Sequence, residues 1–211
     1  MTTDLDSLSR DLGLALTVAQ VQALAQYLAL LQRWNATYNL TAVRDPQAML
    51  TQHLADCLAV VPPFQKRLAR GRVLDVGSGG GLPGALLAIV EPAWRVTCVD
   101  TVGKKAAFIQ QVAGTLGLSN LSAVHTRVEN LAASPFDLIT SRAFASLADF
   151  TRQTRTLLAP QGVWAAMKGK QPRDEIDALP SSVEVFHVEP LTVPGLSAER
   201  CLIWMRPADR L

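Results

Sequence analysis

Three glycines, with an acid just before them and another acid further on, set the chemistry open to this chain. The stretch LDVGSGGGLPG, Leu74 to Gly84, carries Asp75 inside a short apolar run and glycines at 77, 79 and 81 directly after it. Glycines placed between a strand and a helix let the backbone turn sharply and approach a ligand with no side chain in the way. Asp100 closes the next apolar run, 23 positions after Gly77, the spacing at which a carboxylate reaches ribose hydroxyls. The dinucleotide pattern G-x-G-x-x-G would need glycine where Leu82 stands, so the match is G-x-G-x-G. That speaks against a nucleotide-dependent oxidoreductase.

Other chemistry-bearing residues fall around this centre. Arg142 ends the fourth apolar run and Lys168 and Lys170 follow the fifth. Cations there can meet a carboxylate or a phosphate. His53 and Asp56 share a helix face, but no third ligand is visible, so a hydrogen-bonding role is expected and no metal. His125 and His187 fall within strand-like runs and read as structural. Cys57, Cys98 and Cys201 are odd in number and lack C-x-x-C spacing. They exclude a disulfide framework and a zinc knuckle and point to a reducing cytosol.

The elements that must position these residues come in two rhythms. Thr17-x-x-Gln20 is a capping-box pattern, followed by Val21, Leu24, Leu28 and Leu31 at helical spacing, which predicts a helix to about Trp34. Asp45-Pro46 reads as an N-cap with proline at the first helical position, opening a helix to about Val60 that Pro62-Pro63 ends. From residue 72 strands and helices alternate. Strands are expected at 72–76, 94–100, 121–126, 136–141 and 163–168, with helices at 82–90, 104–116 and 147–158 between them. Two more strands, 183–188 and 201–205, lack a crossover helix and should pair antiparallel. Such alternation predicts a doubly wound α/β (Rossmann-like) seven-stranded sheet, with ligands beyond the strands' C-terminal ends. The expected division is a helical extension over 1–66 and a sheet domain over 67–211.

Composition sets the boundaries. The 211 residues are 49% hydrophobic and 18% charged, which excludes a disordered chain. The N-terminus has no basic n-region, and the longest apolar run, Gly81 to Val90, is too short to cross a membrane. A soluble cytoplasmic protein is expected. Charge is uneven: three basic and five acidic residues over 1–60, fourteen and six over 61–173, three and seven over 174–211. A basic middle between acidic ends suits a phosphate-facing surface, although chance clustering on a solvated face gives the same count. Lys66, Arg67, Arg70 and Arg72 precede the first strand, near the edge away from the ligand, and are expected to be solvated.

The glycine segment with Asp75 ahead of it resembles motif I of the class I S-adenosylmethionine (SAM) methyltransferases, whose ligand has no pyrophosphate to seat. Among such enzymes, amino-methyltransferases of adenine or cytosine carry a [DNS]-P-P-[YF] after the fourth strand, where this chain reads Thr140-Ser141-Arg142-Ala143-Phe144. Base-carbon methylation needs a nucleophilic cysteine, and Cys57 and Cys98 read as packing. An acceptor with a free lone pair remains, such as guanine N7, or an oxygen helped by an unidentified base. A ring nitrogen needs only alignment with methyl and sulfur, plus desolvation.

Over nearly its whole length the chain resembles the RsmG (GidB) family of bacterial 16S rRNA guanine-N7 methyltransferases. The resemblance rests on RWNATYNLTAVRDPQAMLTQHLADC (33–57), LDVGSGGGLPG (74–84), VDTVGKKAAF (99–108), RVE (127–129), SRAFASL (141–147) and KGK (168–170). It implies methyl transfer from SAM to N7 of one guanine, of the guanine-527 type, in 16S rRNA or the small ribosomal subunit. It also implies that Gly77 and Leu82 line the methionine and ribose part of the cofactor, with Gly79, Gly81 and, in the strand just ahead, Asp75 as further cofactor-binding residues. Asp100 would hold the ribose hydroxyls, Val128 and Glu129 would read the adenine, and Arg142 would lie at the mouth of the site. Thr101 and Cys57 stand where serine is expected in much of the family, both small changes. A SAM methyltransferase acting on a small molecule or protein is the alternative; a cofactor-bound regulator is a third reading. A monomer is expected, since nothing in the sequence points to a dimer interface.

Overall fold

The computed structural model describes residues 2–208 except 143 and 145, and the side chains from residue 4 onward. Helices come first: α1 (Thr2–Asp11), α2 (Val18–Tyr38), α3 (Pro46–Met49), α4 (Asp56–Leu58) and α5 (Val61–Arg67). Thr17 and Gln20 close the capping box that starts α2, and Asn39 ends it in the left-handed conformation. The helix therefore runs one turn past Trp34. Asp45 caps α3, with Pro46 at its first turn. Between α3 and α4 the chain widens into a π-helical segment, Leu50–Ala55. The expected end at Pro62-Pro63 is corrected: both prolines lie in the first turn of α5, where a missing N–H leaves nothing unpaired.

The sheet domain follows the predicted alternation: β1 (Gly71–Val76), α6 (Gly84–Val90), β2 (Trp94–Asp100), α7 (Gly103–Leu116), β3 (Leu121–His125), β4 (Phe136–Ser141), α8 (Leu147–Thr154), β5 (Leu158–Lys168), α9 (Arg173–Asp177), β6 (Val183–Leu191) and β7 (Arg200–Pro207). The sheet order is β3-β2-β1-β4-β5-β7-β6. The first five strands are parallel, and β7 runs antiparallel between β5 and β6. Helix α8 is shorter than expected because Arg155–Leu157 tightens into a 3-10 turn and Leu158 already belongs to β5.

Each face of the sheet carries its own core. One contains Leu74, Val76, Ile139, Phe136, Phe150, Trp164 and Met205. The other joins Val73, Val96 and Trp204 to Leu86, Ile109, Leu24, Tyr27, Leu28, Leu31 and Phe64. The helical extension is therefore packed into the sheet's own core. At the edge away from the ligand end, Arg67 stacks over Phe186 and Trp204, and Arg72 over Phe136. Arg72 also donates to the carbonyls of Pro135 and Ser134. These two arginines cover aromatic surface, a correction to the expectation of freely solvated charge.

Candidate active site

The first cavity opens where β1 and β2 end. The Gly77 and Ser78 amides donate to the carbonyl of Val99 on β2, which fixes the start of the loop against the neighbouring strand. Gly77, Gly79 and Gly81 all have positive φ (68°, 58° and 80°), a region a side chain would strain. A Cβ on Gly77 or Gly79 would meet nothing within 4 Å, so both glycines border open space. At Gly81 it would meet Ala85 Cβ at 2.8 Å; this glycine lets the loop close onto α6.

Asp100 is almost buried at the cleft. Its Oδ2 accepts from the Gly79 amide at 2.9 Å and its Oδ1 from the Val102 amide at 2.9 Å. Each oxygen keeps a lone pair for a further donor, so the carboxylate is aimed before any ligand arrives. Lys105 Nζ lies 4.0 Å from Oδ2. The cleft has a volume of about 430 Å³ and is lined by Gly77, Asp100, Lys105, Val128, Glu129 and Phe144 among others. Open space over two glycines and a preoriented carboxylate at the cleft fit a nucleoside such as that of SAM.

Asp75 sits beneath this loop with no exposed surface. Its Oδ2 accepts from the Gly84 amide at 2.8 Å, while its Oδ1 has no partner among the described residues. Burial pushes the carboxyl up to about 7, against the opposing Gly84 hydrogen bond. Leu82 turns into the core on the α6 side.

A second cavity, of about 470 Å³, lies between the π-helical segment and the ends of β4, β5 and β7, with Gln52, His53, Asp56, Arg142, Lys168 and Arg200 on its walls. Asp56 joins two arginines: Oδ1 accepts from Arg200 Nε at 2.7 Å, and Oδ2 lies 3.7 Å from an Arg142 terminal nitrogen. That nitrogen also meets the Gln52 carbonyl at 3.2 Å and His53 Nδ1 at 3.4 Å. His53 Nε2 lies 2.8 Å from Thr41 Oγ1. Burial and the Arg142 charge lower the histidine's pKa, so the neutral ring accepts from the arginine. Thr41 is in turn held by Asn35, whose Oδ1 accepts its amide at 2.8 Å. The W-N-x-x-Y-N-L-T…H-x-x-D segment thus acts as a mould for two arginines.

The structure separates some residues that the sequence grouped. Arg142 lines the second cavity, not the cleft at Asp100. Lys168 reaches that cavity too, but both Glu175 oxygens accept from its Nζ, at 3.0 and 2.8 Å. Lys170 borders a neighbouring depression with Arg173, Glu175 and Glu199. Ala143 and Ala145 of the S-R-A-F-A-S-L block lie outside the described residues. Cys57, Cys98 and Cys201 are buried free thiols. Burial pushes Cys57 up to about 12, which keeps it protonated. Among the described residues no group of three or more His, Cys, Asp or Glu side chains could hold a metal, and no helix is long and apolar enough to cross a membrane. Sequence reasoning missed Arg200, Lys105, Phe144 and Tyr27. For Arg200 a signal existed: an antiparallel β7 starts at the ligand edge, with Cys201 opposite Lys168.

Five parallel strands with an antiparallel β7, a glycine loop after β1 and an acid ending β2 define a class I SAM-dependent methyltransferase. More narrowly, the chain belongs to the GidB family, rRNA small subunit methyltransferase G, whose model matches residues 20–203. A Ribosomal RNA small subunit methyltransferase G from Acidovorax ebreus (strain TPSY) is 64% identical over 93% of this chain and 91% of its own. The protein of that name from Methylibium petroleiphilum (strain ATCC BAA-1232 / LMG 22953 / PM1) is 62% identical over 92% and 89%. Among solved structures, Burkholderia thailandensis 1,6-didemethyltoxoflavin-N1-methyltransferase, with 1,6-didemethyltoxoflavin and S-adenosylhomocysteine bound, superposes with a TM-score of 0.59. It is 18% identical over 88% of this chain and 90% of that one, a likeness of fold.

Proposed function

We propose that this protein transfers a methyl group from SAM to N7 of one guanine, of the guanine-527 type, in 16S rRNA of the small ribosomal subunit. The observation that carries this reading is the condition of the acids and bases beside the second cavity. Asp56 is held between two arginines, and both ring nitrogens of His53 are engaged, Nδ1 by Arg142 and Nε2 by Thr41. Neither is free to take a proton from an acceptor. An acceptor that needs none, a ring nitrogen with its own lone pair, matches such a site.

SAM, when bound, supplies an electrophilic methyl group on a sulfonium. In our reading Asp100 takes the ribose hydroxyls on the lone pairs its two amide donors leave free. Gly77, Gly79 and Gly81 let the backbone close around the cofactor over the buried Asp75, with Leu82 anchoring the loop from the core. Val128 and Glu129 flank the adenine. Arg142, fixed by Gln52, His53 and Asp56, positions the target nucleotide, and Lys168 and Lys170 meet RNA phosphates. For Lys168 this requires the Glu175 pair to open. Residues 1–66 serve as a built-in extension to the methyltransferase domain over 67–211. The protein works in the cytoplasm, as a monomer, without a metal.

Labelled SAM tests the acceptor class. Small subunits from cells lacking this protein should take label into RNA, with an apparent affinity that falls steeply with salt as phosphate contacts release counterions. Label in ribosomal proteins or a small molecule, indifferent to salt, would overturn the RNA reading.

A further inference from the structure

The cofactor loop is held from below by the helical extension. Tyr27, fully buried in the middle of α2, donates from its hydroxyl to the carbonyl of Gly80 at 2.6 Å. One turn on, Leu31 packs so closely that a Cβ on Gly80 would lie 3.1 Å from its Cδ1. Earlier on the same helix, Gln20 Nε2 donates to the carbonyls of Val90 and Ile89 at the end of α6. Beyond Leu31, Trp34 meets Phe108 of α7 edge-on at 5.5 Å, and Phe108 also faces Tyr27. Helix α2 is therefore a strap across α6 and α7, and among the described residues its one hydrogen bond to the glycine loop comes from Tyr27. Burial holds the phenol well above its usual pKa, so the donor keeps its proton.

We propose that Tyr27 is a positioning residue for SAM: its hydrogen bond to Gly80 holds the glycine loop in the shape that aims the Gly79 amide at Asp100. Three positive-φ glycines give the loop many other shapes. A cofactor that binds one of them loses affinity in proportion to the fraction of molecules that hold it. The inference rests on the reading that this loop and Asp100 bind SAM.

Calorimetry and steady-state kinetics on the full chain test it. Tyr27→Phe keeps the ring and leaves the Gly80 carbonyl buried without a donor. It should weaken SAM binding and raise KM for SAM about tenfold while kcat at saturating SAM stays within about twofold. Gln20→Ala, which loosens the same helix away from the loop, should lower the melting temperature with no change in SAM affinity. If Tyr27→Phe does not fold, Leu31→Ala reads the same contact and should weaken SAM binding more than Gln20→Ala does. Unchanged SAM affinity in folded Tyr27→Phe, or equal effects of Leu31→Ala and Gln20→Ala, overturns the proposal. Asp100→Ala keeps the two ideas apart. If it weakens SAM binding and Tyr27→Phe does not, only the strap fails; if it leaves SAM binding unchanged, the cofactor reading itself fails.

Discussion

The two cavities at the ligand edge are built by opposite means. The cleft at Asp100 is largely a backbone structure: glycines supply its shape, amides aim the Asp100 carboxylate, and these parts follow each other along β1 and β2. The cavity at Arg142 is a side-chain structure, in which Asp56 and Arg200, 144 positions apart, meet across elements from both ends of the chain. A site for a universal cofactor can be cut from local backbone. In the proposed reading, the site for one particular acceptor needs charges brought from afar, and Asp56 supplies the acid that holds them.

The largest expected effect falls beneath the cleft. Asp75 is held near 7 in the folded protein, against an ordinary value of 3.8. The fold therefore prefers the protonated acid, and its stability declines as pH rises from about 4 to about 7 and is flat above. Asp75→Asn, which keeps an acceptor for Gly84, removes this cost. It should stabilise the protein by up to about 4 kcal/mol at pH 8 and by little at pH 4, since a tenfold change in proton affinity is worth about 1.36 kcal/mol. Urea unfolding at the two pH values measures it. An equal change at both would show that folding does not raise the Asp75 pKa.

On the other side, Asp56→Ala strands two arginines without their shared acid. Both are about a quarter exposed, so the cost should be about 2–3 kcal/mol, below that of breaking a fully buried pair. A loss under about 0.5 kcal/mol in denaturant titration, the level of a surface pair, would mean that Asp56 does not hold the cavity together.

Asp100→Ala should weaken SAM binding by about 1–3 kcal/mol, the worth of a charge-assisted hydrogen bond. Unchanged calorimetric affinity would remove Asp100 from the cleft's function. Arg142→Ala should do the reverse: turnover on the small subunit falls about tenfold or more, while SAM affinity and fold persist, because Asp56 keeps Arg200. Normal methylation kinetics would take Arg142 out of the site. Weakened SAM binding would instead merge the two cavities into one.

The same contrast explains what the sequence could disclose. The glycine loop and Asp100 are legible because the chain carries them in order, at a spacing fixed by one strand–helix–strand unit. All seven strands were legible too, as short runs rich in Val, Ile, Leu and aromatic residues, although the first residues of β5 read as helix or turn. A hydrogen-bonding role for His53 and Asp56 was legible, but the partners of Asp56 were not, because only the folded sheet brings Arg142 and Arg200 against it. Tyr27 sits among apolar helical positions where an aromatic ring reads as core, and nothing local reveals the hydroxyl's partner 53 residues away. Pro62-Pro63 misled because a proline pair closes one helix and opens another with equal ease. Contacts that span the chain were the hidden ones.

In the proposed reaction the cavity at Arg142 presents a lone-pair ring nitrogen to the methyl group held at the cleft. The most direct test is to incubate the protein with labelled SAM and small ribosomal subunits from cells lacking it, digest the RNA to nucleosides and ask which one carries the label. Label is expected in 7-methylguanosine, entering about tenfold or more slowly with Arg142→Ala. Label in any other nucleoside would contradict the acceptor atom, while leaving fold and cofactor in place.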